Sequence, residues 1–132
     1  MAGTLLEIRK NGSTPVIGFQ SGVKELPNRE EVSTVLLREL AETLGSLAPQ
    51  PAMVILSLEG IRYLGNNPLA VLFEIHSGSR ANPPRYPAIT LTDIGEQPQK
   101  KLTTVGLIKV IPTYPTVNDA LASASGSSDR AA

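Results

Sequence analysis

Residues able to do chemistry are few in this chain of 132 residues. The chain has one histidine, His76, and no cysteine, so thiolate chemistry is excluded and a His/Cys metal site is close to excluded. Asp93 and Glu96 share one short stretch, which indicates a solvated loop rather than a carboxylate pair for acid–base catalysis. Neither a P-loop motif nor GxGxxG occurs, so the common phosphate-binding loops are missing. We therefore expect no enzymatic activity and no cofactor.

The charge and composition of the chain limit the kinds of partner that it is expected to bind. Twelve basic residues balance twelve acidic ones, which removes the simplest argument for binding nucleic acid or an anionic membrane. Aromatic residues make up 4% of the chain and offer few stacking platforms for single-stranded nucleic acid. The apolar runs are far shorter than the roughly 20 residues of a membrane helix, and residues 1–10 lack a signal-peptide pattern. We expect a cytoplasmic protein that neither binds nucleic acid nor inserts into membranes.

The periodicity of apolar residues changes within residues 53–76. The apolar run that starts at Met53 and reaches Ile61 is typical of a strand covered on both faces. The apolar residues beyond it have helical spacing: Leu69, Leu72, Phe73 and His76. We therefore predict a strand, a turn and a helix, with His76 packing at the core or at the helix end.

The turn between that strand and helix is Gly65-Asn66-Asn67-Pro68. Pro68 suits the first helical position because its missing N–H has no intrahelical partner there. Asn67 is then the predicted N-cap. The turn would lie at the carboxyl edge of a sheet, where ligands and partners usually bind in α/β proteins. The alternative is that it only connects two elements, since asparagine caps helices without having another function.

The rest of the chain predicts further elements on both sides of this stretch. Strands are expected at 4–8, 16–20, 88–92 and 107–111, with Asn11-Gly12-Ser13 as a hairpin turn between the first two. The first helix would carry one apolar stripe: Val32, Val35, Leu36, Leu40, Leu44 and Leu47. Its predicted cap is Asn28, which forms a capping box with Glu31. A third helix would start at Pro98 and end at Gly106, and Thr116 would cap a fourth.

The predicted order is therefore β-β-α-β-α-β-α-β-α, an α/β fold with a mixed β-sheet. One domain would span residues 1–123. Residues 124–132 are rich in serine, alanine, glycine and charge, so they predict a disordered tail.

The element order and residues 54–76 (VILSLEGIRYLGNNPLAVLFEIH) resemble the STAS family, the fold of anti-sigma factor antagonists. In that family a strand leads through Asp-Ser-Ser-Gly-Leu into a helix, and here residues 65–69 occupy that place. The family's ending is similar to residues 104–107 and 116–122. The resemblance covers about residues 4–123 and implies a STAS-like single domain.

The resemblance also implies a switch. In the family, the second serine of the motif is phosphorylated by a kinase that is also the anti-sigma factor, and the phosphate breaks the complex. Asn67 stands at this acceptor serine, Asn66 at the first serine and Gly65 at the aspartate. An amide cannot accept a phosphoryl group, and a neutral asparagine resembles unphosphorylated serine. We therefore expect a protein locked in its partner-binding state.

The implied partner is an anti-sigma factor or a related ATPase-type serine kinase, bound by residues 65–69 together with Asp93 and Ile94. Residues 91–94 are also similar to the Leu-Thr-Gly-Ile loop of STAS domains in stressosome scaffolds, whose threonine can be phosphorylated. Thr92 is thus a candidate phosphorylation site. The alternative is a strand-end threonine, because β-branched side chains favour strands.

Three functions stay open from the sequence. The first is the regulatory binding module just described. The second is a structural subunit that self-associates in a STAS–STAS assembly, stressosome-like or associated with a transporter, in which the turn only caps a helix. The third is an enzyme, which a pocket with two facing ionisable groups would favour.

Overall fold

The computed structural model describes residues 5–11, 14–47, 51 and 53–130. The strands in this part of the chain are β1 (Leu6–Asn11), β2 (Thr14–Phe19), β3 (Glu25–Leu26), β4 (Met53–Ser57), β5 (Tyr63–Leu64), β6 (Ala88–Thr92) and β7 (Thr113–Tyr114). The helices are α1 (Glu30–Gly45), α2 (Asn66–Ser79), α3 (Glu96–Val105), α4 (Val117–Arg130) and a 3-10 helix (Leu107–Lys109).

Five strands form one mixed sheet in the order β1-β2-β4-β6-β7. Strand β1 runs antiparallel to β2, with Asn11 opposite Thr14, and the remaining neighbours are parallel. The predicted hairpin residues 12–13 lie outside the described residues. Strands β3 and β5 form a separate parallel pair of two residues each. Without that pair the order is β-β-α-β-α-β-α-β-α, so the α/β prediction with a mixed sheet is confirmed.

Alternating residues of β4 pack on opposite faces of the sheet, because successive side chains of a strand point in opposite directions. Val54 and Leu56 belong to the main core, together with buried leucines of α1 and α2. Ile55 belongs to a smaller cluster with Val16 of β2 and Ala120 of α4. The central strand is therefore covered on both faces, as its sequence predicts, although it ends at Ser57 rather than Ile61.

Helix α1 buries Leu36, Leu40 and Leu44 of its predicted stripe. Between them Glu39 is also buried, where a carboxylate needs hydrogen bonds to offset the loss of water. Its Oε1 accepts the backbone N–H groups of Leu5 at 3.0 Å and Leu6 at 3.2 Å. This contact fixes the start of the edge strand β1 to α1.

The predicted strand 107–111 is wrong, because residues 107–109 form the 3-10 helix and the strand follows at β7. Gly106 has a φ of 83° and ends α3 as the predicted C-cap. Leu107 and Ile111 are both buried while Lys109 between them is exposed, which excludes strand alternation. The N–H of Ile111 donates to the Leu107 carbonyl at 2.9 Å, so this apolar spacing reflects one helical turn.

Two helices begin earlier than predicted. Helix α2 starts at Asn66 and α3 at Glu96, so Pro68 and Pro98 occupy the third helical position rather than the first. Proline is tolerated throughout the first turn, since none of those N–H groups has an intrahelical acceptor. The N-caps are glycines with extended backbone, Gly65 and Gly95, and the prediction of Asn67 as N-cap is wrong.

Helix α4 begins after Thr116, whose Oγ1 accepts the N–H of Asp119 at 3.1 Å, as predicted for a capping residue. Its backbone stays helical through residues 124–130, where the composition predicts a disordered tail. The division of the chain after residue 123 stays a prediction. None of the helices described is both long and apolar enough to cross a membrane.

Candidate partner-binding site

The first turn of α2 is capped by a residue that lies before α1. The backbone N–H of Asn67 donates to Asn28 Oδ1 at 2.9 Å, and the N–H of Gly65 donates to the Leu26 carbonyl at 2.8 Å. Pro68 has no N–H. Asn28 therefore satisfies the donor that a side chain at the N-cap would otherwise serve, and Leu26 bonds the N–H of the N-cap residue itself. The predicted role of Asn28 as the cap of α1 is wrong, because α1 has Arg29 at its N-cap.

Gly65 lies directly against the backbone of Asn28. A Cβ atom at position 65 would be 2.5 Å from the Asn28 nitrogen and 2.7 Å from its Cα. Both distances are far below van der Waals contact. The aspartate implied by the resemblance at this place is thus incompatible with the observed path of residues 26–28.

The predicted partner-binding residues of the turn differ in exposure. Asn66 is exposed, Asn67 is half-buried, and Gly65, Pro68 and Leu69 are buried. No acidic side chain stands in the first turn of α2. The side chains that solvent reaches here are therefore neutral amides at the positive end of a helix dipole.

The second predicted segment begins at the end of β6. Asp93 Oδ2 accepts hydrogen bonds from Thr92 Oγ1 at 2.8 Å and from Ser57 Oγ at 3.1 Å. Ser57 and Thr92 are opposite each other in the β4–β6 pair, and each is 0% exposed. Asp93 has a φ of 56°, a left-handed conformation that aspartate tolerates better than most residues. Ser57 is not among the predicted site residues, and its signal in the sequence is a hydroxyl at the end of a neighbouring parallel strand.

The positions of Thr92 and Ile94 bear on their predicted roles. Ile94 is half-buried and packs against the main core. The Thr92 hydroxyl is buried and donates to Asp93, so a kinase could reach it only after the end of β6 had opened. Phosphorylation of Thr92 stays a prediction.

The two predicted segments meet. The N–H of Leu64 donates to Gln97 Oε1 at 2.8 Å, and Gln97 Nε2 donates to the Leu64 carbonyl at 3.3 Å. Gly95 lies against Ile61, since a Cβ atom at position 95 would be 2.9 Å from the Ile61 carbonyl oxygen. The residue before the turn at 65–69 thus contacts the first turn of α3, and the loop after β6 packs against the segment that leads into β5. The sequence carries no signal for Gln97 beyond its place in a helix's first turn.

An apolar groove of about 530 Å³ lies beside the turn, between α2 and the segment after α3. Asn66 and Leu69 line it, together with side chains that are about half exposed: Phe73 at 55%, Val105 at 51% and Val110 at 49%. Phe73 shares the helical spacing of Leu69 and Leu72 in the sequence, but its side chain lies outside the buried stripe. The buried stripe of α2 contains Leu69, Leu72 and Ile75, and His76 is half-buried in the last turn.

The described residues contain no candidate metal site. No group of three or more histidine, aspartate or glutamate side chains is placed there to hold a metal ion. What the groove offers a partner is apolar side chains and the neutral amide of Asn66.

Comparison with solved structures identifies the fold. No protein-family model matches the sequence, and no curated protein is recognisably similar to it in sequence. The anti-sigma-factor antagonist (STAS) domain protein of Planctomyces limnophilus superposes with a TM-score of 0.68 at 21% identity, covering 91% of this chain and 97% of that one. An anti-sigma factor antagonist of Mycobacterium paratuberculosis matches with a TM-score of 0.60 at 20% identity, covering 88% and 89% of the two chains.

The murine anion transporter Solute Carrier 26 family member A9 is also similar, with a TM-score of 0.66 at 14% identity. There the match covers 86% of this chain and 18% of the transporter. The chain therefore has the fold of STAS domains, a fold found both in small antagonist proteins and within a larger transporter chain.

Proposed function

We propose that this protein is a non-catalytic regulatory module of the anti-sigma factor antagonist type, held in the state that binds its partner. The partner would be an anti-sigma factor or a related ATPase-type serine kinase in the cytoplasm. The observation that carries the proposal is the exposed apolar groove that starts at the turn 65–69. Exposed apolar patches on small proteins mark interaction surfaces, because leaving them in water is unfavourable.

The chemistry of the turn supports a permanent binding state. Asn67 is neutral and cannot be phosphorylated, so the charge of about −1.5 to −2 that phosphate would add never arises there. The internal cap by Asn28 also occupies an N–H that an anion at this helix end would need.

A capture experiment with matched variants tests this function. The tagged protein would be incubated with lysate of its own host, and the retained proteins identified by mass spectrometry. We expect the wild type to retain an ATPase-type serine kinase and Phe73→Ser to lose it, because Phe73 is 55% exposed in the groove. Glu74→Ser, an exposed neighbour on the same helix, is the control and should still retain it. Retention of the same proteins by all three forms would contradict the proposal.

A structural subunit is the second candidate, because the fold also matches a domain within a larger transporter chain. Here Thr92 would be the regulated residue. Light scattering at micromolar concentration separates the candidates, since a self-assembling subunit would have a multiple of the monomer mass of 14.0 kDa. Self-assembly that Phe73→Ser abolishes would favour this candidate over the first.

A further inference from the structure

The side chain of Gln97 takes the place of a neighbouring strand beside β5. Strand β3 lies on one side of Leu64, where the N–H of the next residue, Gly65, donates to the carbonyl of Leu26, the residue opposite Leu64. On its other side both its N–H and its carbonyl are bonded to Gln97, at 2.8 and 3.3 Å. A glutamine amide offers one acceptor and two donors on one plane, so it can pair with a backbone unit as a peptide group does.

This contact joins two short lengths of chain. Leu64 directly precedes Gly65, the N-cap of α2, and Gln97 stands in the first turn of α3. Only residues 93–95 separate β6 from α3. Gly95 in that link lies so close to the Ile61 carbonyl that no Cβ fits, at 2.9 Å. The link is therefore too short and too closely packed to absorb a displacement of Asp93. Such a displacement would move α3 and Gln97 with it.

We propose that Gln97 is a positioning residue that couples the Ser57–Thr92–Asp93 cluster to the turn at 65–67. A change in the cluster, such as a substitution or a modification of Thr92, would then alter the turn through Gln97. That this coupling regulates partner binding rests on the proposed function. The coupling itself is a property of the free protein, so it is measured without any partner.

Amide hydrogen exchange by NMR on the full chain tests the contact. In Gln97→Ala we expect exchange at Leu64 to rise about fivefold to tenfold, the effect of losing one net hydrogen bond. Gln97→Glu sets an oxygen against the Leu64 carbonyl, so we expect some rise in exchange. Because the carboxylate still accepts the Leu64 N–H, this rise should be smaller than in Gln97→Ala. Gln99→Ala, an exposed glutamine on the same helix, is the control and should leave Leu64 unchanged.

General destabilisation is separated from the local effect by the core amides of β4. Those amides should keep their wild-type exchange in Gln97→Ala when the effect is local. Unchanged exchange at Leu64, or an equal rise at Leu64 and throughout β4, would overturn the contact's positioning role.

The coupling is tested by a double-mutant comparison, which separates coupling from proximity. Asp93→Asn should shift the amide resonances of Gly65 and Asn67 in the wild-type background. In the Gln97→Ala background the same substitution should shift them several-fold less. Asp93→Gly is a second probe, which removes the whole side chain. Equal shifts in both backgrounds would overturn the proposal. If the shifts are reduced but the capture experiment retains no partner, the coupling stands and only the proposed function is rejected.

Discussion

Asn28 Oδ1 accepts the backbone N–H of Asn67 at 2.9 Å, across 39 positions of sequence. The helix behind the turn is therefore capped by a tertiary contact, because its own N-cap is Gly65, which has no side chain. The turn that would bind the partner is thus positioned by the segment that leads into α1. The side chain of Asn67 takes no part in this bond, which uses its backbone only.

Replacing Asn28 tests the cap. Asn28→Ala should lower the free energy of unfolding by about 1 kcal/mol, the usual cost of losing a capping side chain. Asn28→Asp should keep wild-type stability, because a carboxylate still accepts the Asn67 N–H and favours a helix N-terminus. Urea unfolding followed by circular dichroism measures both. Asn118→Ala, at an exposed position of α4, is the control, and an equal loss there would contradict the role of Asn28.

Substitution of Gly65 tests the close approach of residues 26–28. Gly65→Ala should destabilise by about 1–3 kcal/mol, since the new Cβ must displace the Asn28 backbone. Gly65→Asp, which introduces the aspartate implied by the resemblance, should cost at least as much. Gly45→Ala is the matched control, because open space surrounds that glycine at the end of α1. Thermal unfolding in which Gly65→Ala matched Gly45→Ala would contradict the packing described.

We predict that the Asp93 carboxylate stabilises the fold although the backbone of Asp93 is left-handed. Asp93→Gly relieves the backbone but leaves the buried hydroxyls of Ser57 and Thr92 without their acceptor. We expect a net loss of about 1–3 kcal/mol, the cost of unsatisfied buried polar groups. Asp93→Asn should lose less, because asparagine tolerates this φ and its side-chain oxygen still accepts. A gain in stability for Asp93→Gly in urea unfolding would show that relief of backbone strain dominates.

Much of the fold follows from local patterns. The double-sided burial of β4, the leucine stripe of α1 and the Gly106 C-cap each depend on residues close together in sequence. The order of the elements could be predicted for the same reason.

The site could be predicted only in part, because its contacts are long-range. Asn28 has the sequence signature of a capping box for α1, and only the tertiary structure shows that its side chain serves α2 instead. Gln97 pairs with a backbone unit 33 positions away, which no local pattern reports. In α2, residues 69–76 offer two overlapping apolar stripes, and packing against α1 and the sheet decides that Phe73 stays outside.

Calorimetry tests the central claim most directly. It would measure the dissociation constant between the ATPase-type serine kinase from the host and three forms of this protein. Wild type and Asn67→Ser should bind with the same affinity, since both turns are neutral. Asn67→Asp should bind about tenfold more weakly or worse, because a charge enters the interface. Its free energy of unfolding should not fall, since an acidic residue in a helix's first turn is stabilising. An unchanged dissociation constant for Asn67→Asp would contradict the account.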